Sequence, residues 1–179
     1  STVTQPLLDK TPEGVPALKN VGKEISECTD EMRNEFKRTE FIDLTKEGKN
    51  TKEFIGQKVW AAVQEEGNAL VILNTIDSVH ILYEEIQEKY KEGIDKEGVS
   101  VYILTTNICA AHRKDTIAKI KSELSQKIKL IIISTQLIEA GVDISFKSVF
   151  RATAGLDNLI QSAGRCNRNN ESLTYKKVY

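Results

Sequence analysis

Between positions 161 and 168 the chain reads Gln161, Ser162, Ala163, Gly164, Arg165, Cys166, Asn167 and Arg168, a carboxamide, a glycine and two arginines with no acidic residue among them. At 3.6 residues per turn, Gln161, Gly164, Arg165 and Arg168 stand at i, i+3, i+4 and i+7 and share one stripe. Leu156, Leu159, Ile160 and Ala163 fall on the opposite side, so the spacing predicts an amphipathic helix over 156–167. Two like charges one turn apart cost a few tenths of a kcal/mol, and an interior glycine costs about 1 kcal/mol relative to alanine. Together they mark a face built to meet an anion. A guanidinium fork matches phosphate oxygens, and positioned arginines stabilise charge developing in phosphoryl transfer. The plain alternative is a solvated face carrying two surface arginines.

What positions such a face is an alternation of short β-rich runs and amphipathic helices. Strands are predicted over 40–44, 69–73, 99–104, 129–133 and 148–152, and helices over 51–66, 76–92, 112–126 and 156–167. Alternation at these lengths implies βαβ units, hence an α/β fold with a mainly parallel sheet and helices on both faces. Residues 1–38 hold all three prolines, Pro6, Pro12 and Pro16, and read as a connecting arm. The last residues, 174–179, have β propensity but too little length for a central strand. The chain reads there as a piece of something larger.

In such a sheet ligands gather at the carboxyl ends of strands. After Leu73 come Asn74 and Thr75, where a helix cap and a contact to nucleic-acid phosphate are both open readings. After Leu104 come Thr105, Thr106 and Asn107, then His112 and Arg113, which equally suit a cap or a backbone phosphate. After Ile133 come Ser134 and Thr135, whose hydroxyls suit a phosphate or the next turn, and Gly141, which lets the chain turn tightly before Asp143.

The totals narrow the classes. Lys plus Arg number 25 against 26 Asp plus Glu, a formal charge of -1, so nucleic acid would be met by local contacts rather than by a global field. Cys28, Cys109 and Cys166 are far apart and the histidines are only two, which supports neither zinc ligation nor a disulfide framework and fits a reduced, cytoplasmic setting. No apolar run approaches the roughly 18 residues of a membrane span, and Trp60, alone in mid-helix, reads as core. The phosphate loop G-x-x-x-x-G-K-[ST] is missing: ahead of Gly48 and Lys49, its first glycine position is Asp43. Nor does an acidic pair follow a β run to hold magnesium. The chain has the arginines of a phosphoryl-transfer site without its phosphate cradle.

Taken together, these stretches resemble the motif series of the second RecA-like domain of a superfamily 2 helicase. Gln161, Gly164, Arg165 and Arg168 match motif VI, Ser134 to Asp143 match motif V, and Val71 to Thr75 match motif IV. The fuller wording of 134–145 and 156–168 resembles the CRISPR-associated helicase-nuclease family of type I systems, closely over about 68–179. Ser1 to Leu7 resembles motif III, with Val3 in place of the usual alanine, so the arm over 1–38 would begin at the seam between two motor domains and 39–179 would be the second domain, cut short at its C-terminus. The resemblance implies ATP and Mg2+ bound mainly by a first RecA-like domain, an HD nuclease domain in the same protein, single-stranded DNA as track, and a guide-RNA surveillance complex as partner. It assigns Arg165, Arg168 and Gln161 to the γ-phosphate side, one arginine as a finger, and Gly141, Asp143 and Gly164 to the nucleotide side. Asn74, Thr75, Thr105, Arg113, Ser134 and Thr135 would hold the DNA backbone. Another superfamily 2 DNA or RNA helicase, and a non-catalytic phosphate-binding α/β module, are the competing readings. On the leading one, this chain alone is inactive.

Overall fold

Leu130, Ile131, Ile132, Ile133 and Ser134 are buried without interruption. A near-continuous apolar run of this kind belongs to a parallel strand covered on both faces, and this one lies inside a six-stranded sheet. The computed structural model describes residues 29, 37–47, 51–139, 144–168 and 174–179. Residues Arg38–Tyr179 form one compact unit. The arm expected over 1–38 lies almost wholly outside the described residues.

The strands are β1 (Thr39–Phe41), β2 (Asn68–Ile72), β3 (Ser100–Leu104), β4 (Leu130–Ser134), β5 (Ser148–Arg151) and β6 (Lys176–Val178). The helices are α1 (Lys52–Glu66), α2 (Ile76–Lys89), α3 (Lys91–Glu97), α4 (Ala110–Ser125) and α5 (Leu156–Ala163). The strand order is β1-β6-β5-β2-β4-β3, and every pairing is parallel. In register, Leu70 sits between Ile132 and Val149, and Val71 between Ile133 and Phe150.

Alternate residues of each strand face opposite layers. Ala69, Val71, Ile131 and Ile133 pack with Val59 and Val63 of α1 and Val79, Leu82 and Ile86 of α2. Leu70, Ile72, Leu130 and Ile132 pack on the other face with Ile120 of α4, Ile138, Ile144 and Phe146. Thr51 caps α1 by accepting the Phe54 N–H at 3.3 Å, and the helix ends at Gly67, whose φ of 91° is the left-handed cap that glycine takes without a Cβ clash.

Three elements depart from the sequence expectation. The helix expected over 76–92 breaks at Tyr90 into α2 and α3. The Tyr90 ring stacks on Trp60 with centroids 4.8 Å apart, and Gly93 lies so close to Trp60 that a Cβ there would meet the indole at 2.6 Å. Trp60, half-buried against the core, therefore sets the break. The terminal β run is interior despite its length: β6 pairs with both β1 and β5, and Val178 is buried. Three residues suffice because the neighbour β1 is equally short and the ends are tied by Ile42 N–H to the Val178 carbonyl at 2.7 Å and Arg151 N–H to the Tyr179 carbonyl at 2.8 Å. The helix expected over 156–167 stops at Ala163.

Candidate functional site

That early stop changes the geometry of the arginine segment. Gly164 is the C-cap of α5, not an interior residue, and its N–H donates to the Ile160 carbonyl at 2.9 Å. A Cβ at Gly164 would lie 3.2 Å from the Gln161 carbonyl oxygen, so the position is tight rather than unusual in φ. Beyond it the chain leaves the helix and runs beside the segment leading into β5. The Phe146 N–H donates to the Arg165 carbonyl at 2.8 Å, and the Asn167 N–H donates to the Phe146 carbonyl at 2.8 Å. Cys166 and Phe146 form a parallel bridge. Arg168 N–H donates to Ser145 Oγ at 3.0 Å, and its carbonyl accepts from Arg38 Nη1 at 2.5 Å. Gln161, Arg165 and Arg168 thus share no helical stripe. Gln161 belongs to the last turn of α5, while the arginines flank a strand-like bridge with a fixed backbone.

Two features hold that bridge. Cys166 is buried, with Sγ 3.6 Å from the Lys147 carbonyl and 3.7 Å from that of Lys177. Burial pushes its thiol up to about 12, so it is a protonated packing group rather than a nucleophile. Asn167 is buried with φ of 48°, a left-handed turn that asparagine tolerates better than most side chains. Arg165 is half-buried and Arg168 exposed.

At the carboxyl end of the sheet, Asn74 sits between two strands. Its Oδ1 accepts from Arg151 Nη1 at 2.7 Å and its Nδ2 donates to the Thr153 carbonyl at 2.9 Å. Arg151 Nη1 also donates to the Ala152 carbonyl at 3.1 Å. Arg151 is buried at the end of an otherwise apolar β5. Its one signal in the sequence is an arginine closing the run Ser148, Val149, Phe150. Thr75 caps α2, accepting the Ser78 N–H at 3.1 Å, with its hydroxyl 2.7 Å from that of Ser78. The cap open to it is therefore present.

Ser134 is fully buried. Its Oγ lies 2.7 Å from the Leu104 carbonyl and 2.8 Å from that of Thr135, which ties β4 to β3 and leaves no surface for a DNA phosphate. The contact expected of Ser134 is therefore replaced by a structural one. Thr135 is half-buried at the same strand end, Thr105 is buried, and Arg113 is half-buried in the first turn of α4. Gly141 and Asp143 lie outside the described residues. The cavity at this end, about 630 Å³, is lined largely by apolar side chains such as Phe41, Leu73, Phe150 and Leu159, which offers little to a triphosphate.

Among the described residues no group of three or more His, Cys, Asp or Glu is placed to hold a metal ion. No helix among the described residues is long and apolar enough to cross a membrane.

A family model described as CRISPR-associated nuclease/helicase Cas3, C-terminal, matches residues 65–171. The CRISPR-associated nuclease/helicase Cas3 of Haloferax volcanii is 35% identical over 119 residues, covering 62% of this chain and 12% of the relative. That of Methanothermobacter thermautotrophicus is 30% identical over 107 residues, covering 60% of this chain and 12% of the relative. Among solved structures, T. fusca Cas3 with ADP superposes with a TM-score of 0.64 at 18% identity, over 79% of this chain and 18% of that one. The described chain therefore spans a small part of the length of the proteins it is similar to.

Proposed function

This chain belongs to the CRISPR-associated nuclease/helicase Cas3 family, in its C-terminal part, and from that premise we propose that it is the second RecA-like half of an ATP-dependent DNA helicase acting in type I CRISPR interference. The observation that carries the reading is the backbone clamp on the arginine segment. Hydrogen bonds from Phe146, Asn167, Arg168 and Arg38 fix the main chain on both sides of Cys166, so the backbone that carries the arginines is held and is not a fraying helix end. Preorganised donors need no reorganisation when charge develops, which is where catalytic electrostatics gains most.

In the intact protein a first RecA-like domain and an HD nuclease domain would belong to the same chain. ATP with Mg2+, bound mainly by that first domain, supplies the phosphoanhydride whose hydrolysis drives movement. The residues of this chain bind and orient. Arg165 and Arg168 hold the γ-phosphate oxygens, one of them as the finger, while Gln161 at the end of α5 and Gly164 beside it shape the approach. Gly141 and Asp143 complete the nucleotide side. On the carboxyl edge, Thr75, Thr135 and Arg113 hold backbone phosphates of single-stranded DNA, and Thr105, buried like Ser134, is not among them. Asn74 contributes by fixing the turn ahead of Thr75, because both ends of its amide are engaged by Arg151 and Thr153. Phosphate contacts carry no sequence information, which suits a motor that moves along any strand. The strand itself would be delivered by a guide-RNA surveillance complex.

The isolated chain is expected to hydrolyse no ATP. Joined to the first RecA-like domain it is expected to show DNA-stimulated hydrolysis, and Arg168→Ala in that protein to lower turnover by about 10³-fold or more with ATP binding nearly unchanged. Unaltered turnover in Arg168→Ala and in Arg165→Ala would remove the finger assignment. Hydrolysis by the isolated chain would remove the two-half reading.

A further inference from the structure

We propose that the opposite, amino edge of the sheet carries a second anion-binding cleft, fitted to the backbone phosphates of a single nucleic-acid strand through Lys121, Lys127 and Lys147. The cleft, about 630 Å³, lies between the end of α4, the loop into β4, the segment ahead of β5 and Asn167. Lys121, Lys127 and Lys147 are exposed, and among the described residues no carboxylate stands within ion-pair distance of any of them. A fourth cation at the rim, Lys176, is neutralised by Glu66 at 2.6 Å. The three lysines are thus a local excess of positive charge on a chain whose formal charge is -1.

The backbone supplies an independent clue. Among the described residues, the non-glycine positions with positive φ are Lys127 at 58° and Asn167 at 48°, and both line this cleft. Lys127 follows α4 where its N–H donates to the Leu124 carbonyl at 3.0 Å and the next N–H, of Ile128, to the Glu123 carbonyl at 3.0 Å. Such a turn normally takes glycine. Strained positions of this kind gather at functional sites. Attraction to the carboxyl end of the α4 dipole favours a lysine at that place. It explains neither the left-handed lysine, where a glycine with a lysine one turn earlier would serve, nor Lys147, which precedes a strand.

The lining also points to the ligand. Its one aromatic ring, Phe146, is buried in the core, so no exposed ring is offered for a base to stack on. Phosphates are what this lining can read, and lysines distributed around a cleft suit a run of them better than one bidentate anion. This inference does not depend on the motor reading, although Asn167, which stands between the two arginines of that reading, also lines the cleft.

The test is fluorescence anisotropy of a labelled oligothymidylate of about 15 nucleotides binding this chain from about 50 to about 200 mM salt. Replacing Lys121, Lys127 and Lys147 with alanine is expected to weaken binding about 10- to 100-fold at the lowest salt and to flatten the log-log salt slope by about 2, near 0.7 per lost phosphate contact. Unchanged affinity and slope in a folded triple variant overturn the proposal. Lys127→Gly guards against a purely structural loss: it relieves the left-handed strain, so the chain should resist urea better while binding the strand several-fold more weakly. Better urea resistance with unchanged binding overturns the proposal. Inorganic phosphate at matched ionic strength should compete no better than chloride, and stronger competition overturns the strand in favour of a single-phosphate pocket. Loss of binding in Thr75→Ala with Thr135→Ala, alongside no loss in the lysine variants, overturns the cleft and leaves the motor reading standing.

Discussion

At the carboxyl end of the sheet, Asn74 accepts from Arg151 at 2.7 Å and donates to the Thr153 carbonyl at 2.9 Å, and Ser134 turns its hydroxyl to neighbouring carbonyls. At the amino end, three lysines face solvent with no carboxylate partner among the described residues, beside two backbones in the left-handed region. The first end turns the polar groups of Asn74 and Ser134 inward and presents little beyond threonine side chains and Arg113. The second leaves charge and strain unresolved at the surface. Polarity in the sequence is therefore a poor guide to what a residue touches: Asn74 and Ser134 are as polar as any contact residue, yet their partners are within the fold.

Each side of that contrast can be broken. Arg151→Met removes a charged donor from Asn74 Oδ1 and from the Ala152 carbonyl, and the loss in a urea titration is expected to be about 2 kcal/mol. An unchanged midpoint would mean that the carboxyl network contributes nothing net.

Next in size is an alkaline effect at the amino end. The Cys166 thiol is raised from 9.0 to about 12, first by desolvation, so the native state holds its proton where the unfolded chain releases it. That stability is fully present below about pH 9 and is lost as pH rises towards 12. By pH 10 the loss is about 1.4 kcal/mol. Cys166→Ala should lack this component, and parallel stability curves for the two proteins between pH 8 and 10 would contradict it. Tyr179, also raised chiefly by burial, should extend the decline above pH 10 in both proteins.

The smallest expected change is a gain. Lys127→Gly should stabilise the fold by about 1 kcal/mol, because glycine takes a positive φ without the Cβ clash. A loss instead would show that the lysine side chain, through the α4 dipole, outweighs the strain.

Much of this architecture was legible because its causes are local. Leu130 to Ile133 read as a covered strand, Thr75 sits where a hydroxyl caps a helix, and the alternation of the two periodicities implies parallel pairing. The arginine segment was legible in composition and not in shape. Helical spacing continues on paper through Arg168, but Gly164 caps the helix and Phe146 captures the following backbone, and that pairing partner lies about 20 residues earlier in the sequence, where no periodicity points to it. The split at Tyr90 was hidden for the same reason, since Trp60 is 30 positions away.

The sequence by itself determined the α/β class, the strands and helices to within a few residues, the family, and the residue types that can meet phosphate. Those follow from short-range periodicity, capping chemistry and motif wording, all written along the chain. Only the tertiary structure decided which of those polar groups remain available. Asn74 meets Arg151 across 77 positions, Ser134 meets Leu104 across 30, and Lys121, Lys127 and Lys147 come to one cleft from two separate stretches. A hydrogen bond or a shared field depends on distance in space, and the sheet order, with β6 between β1 and β5, sets those distances.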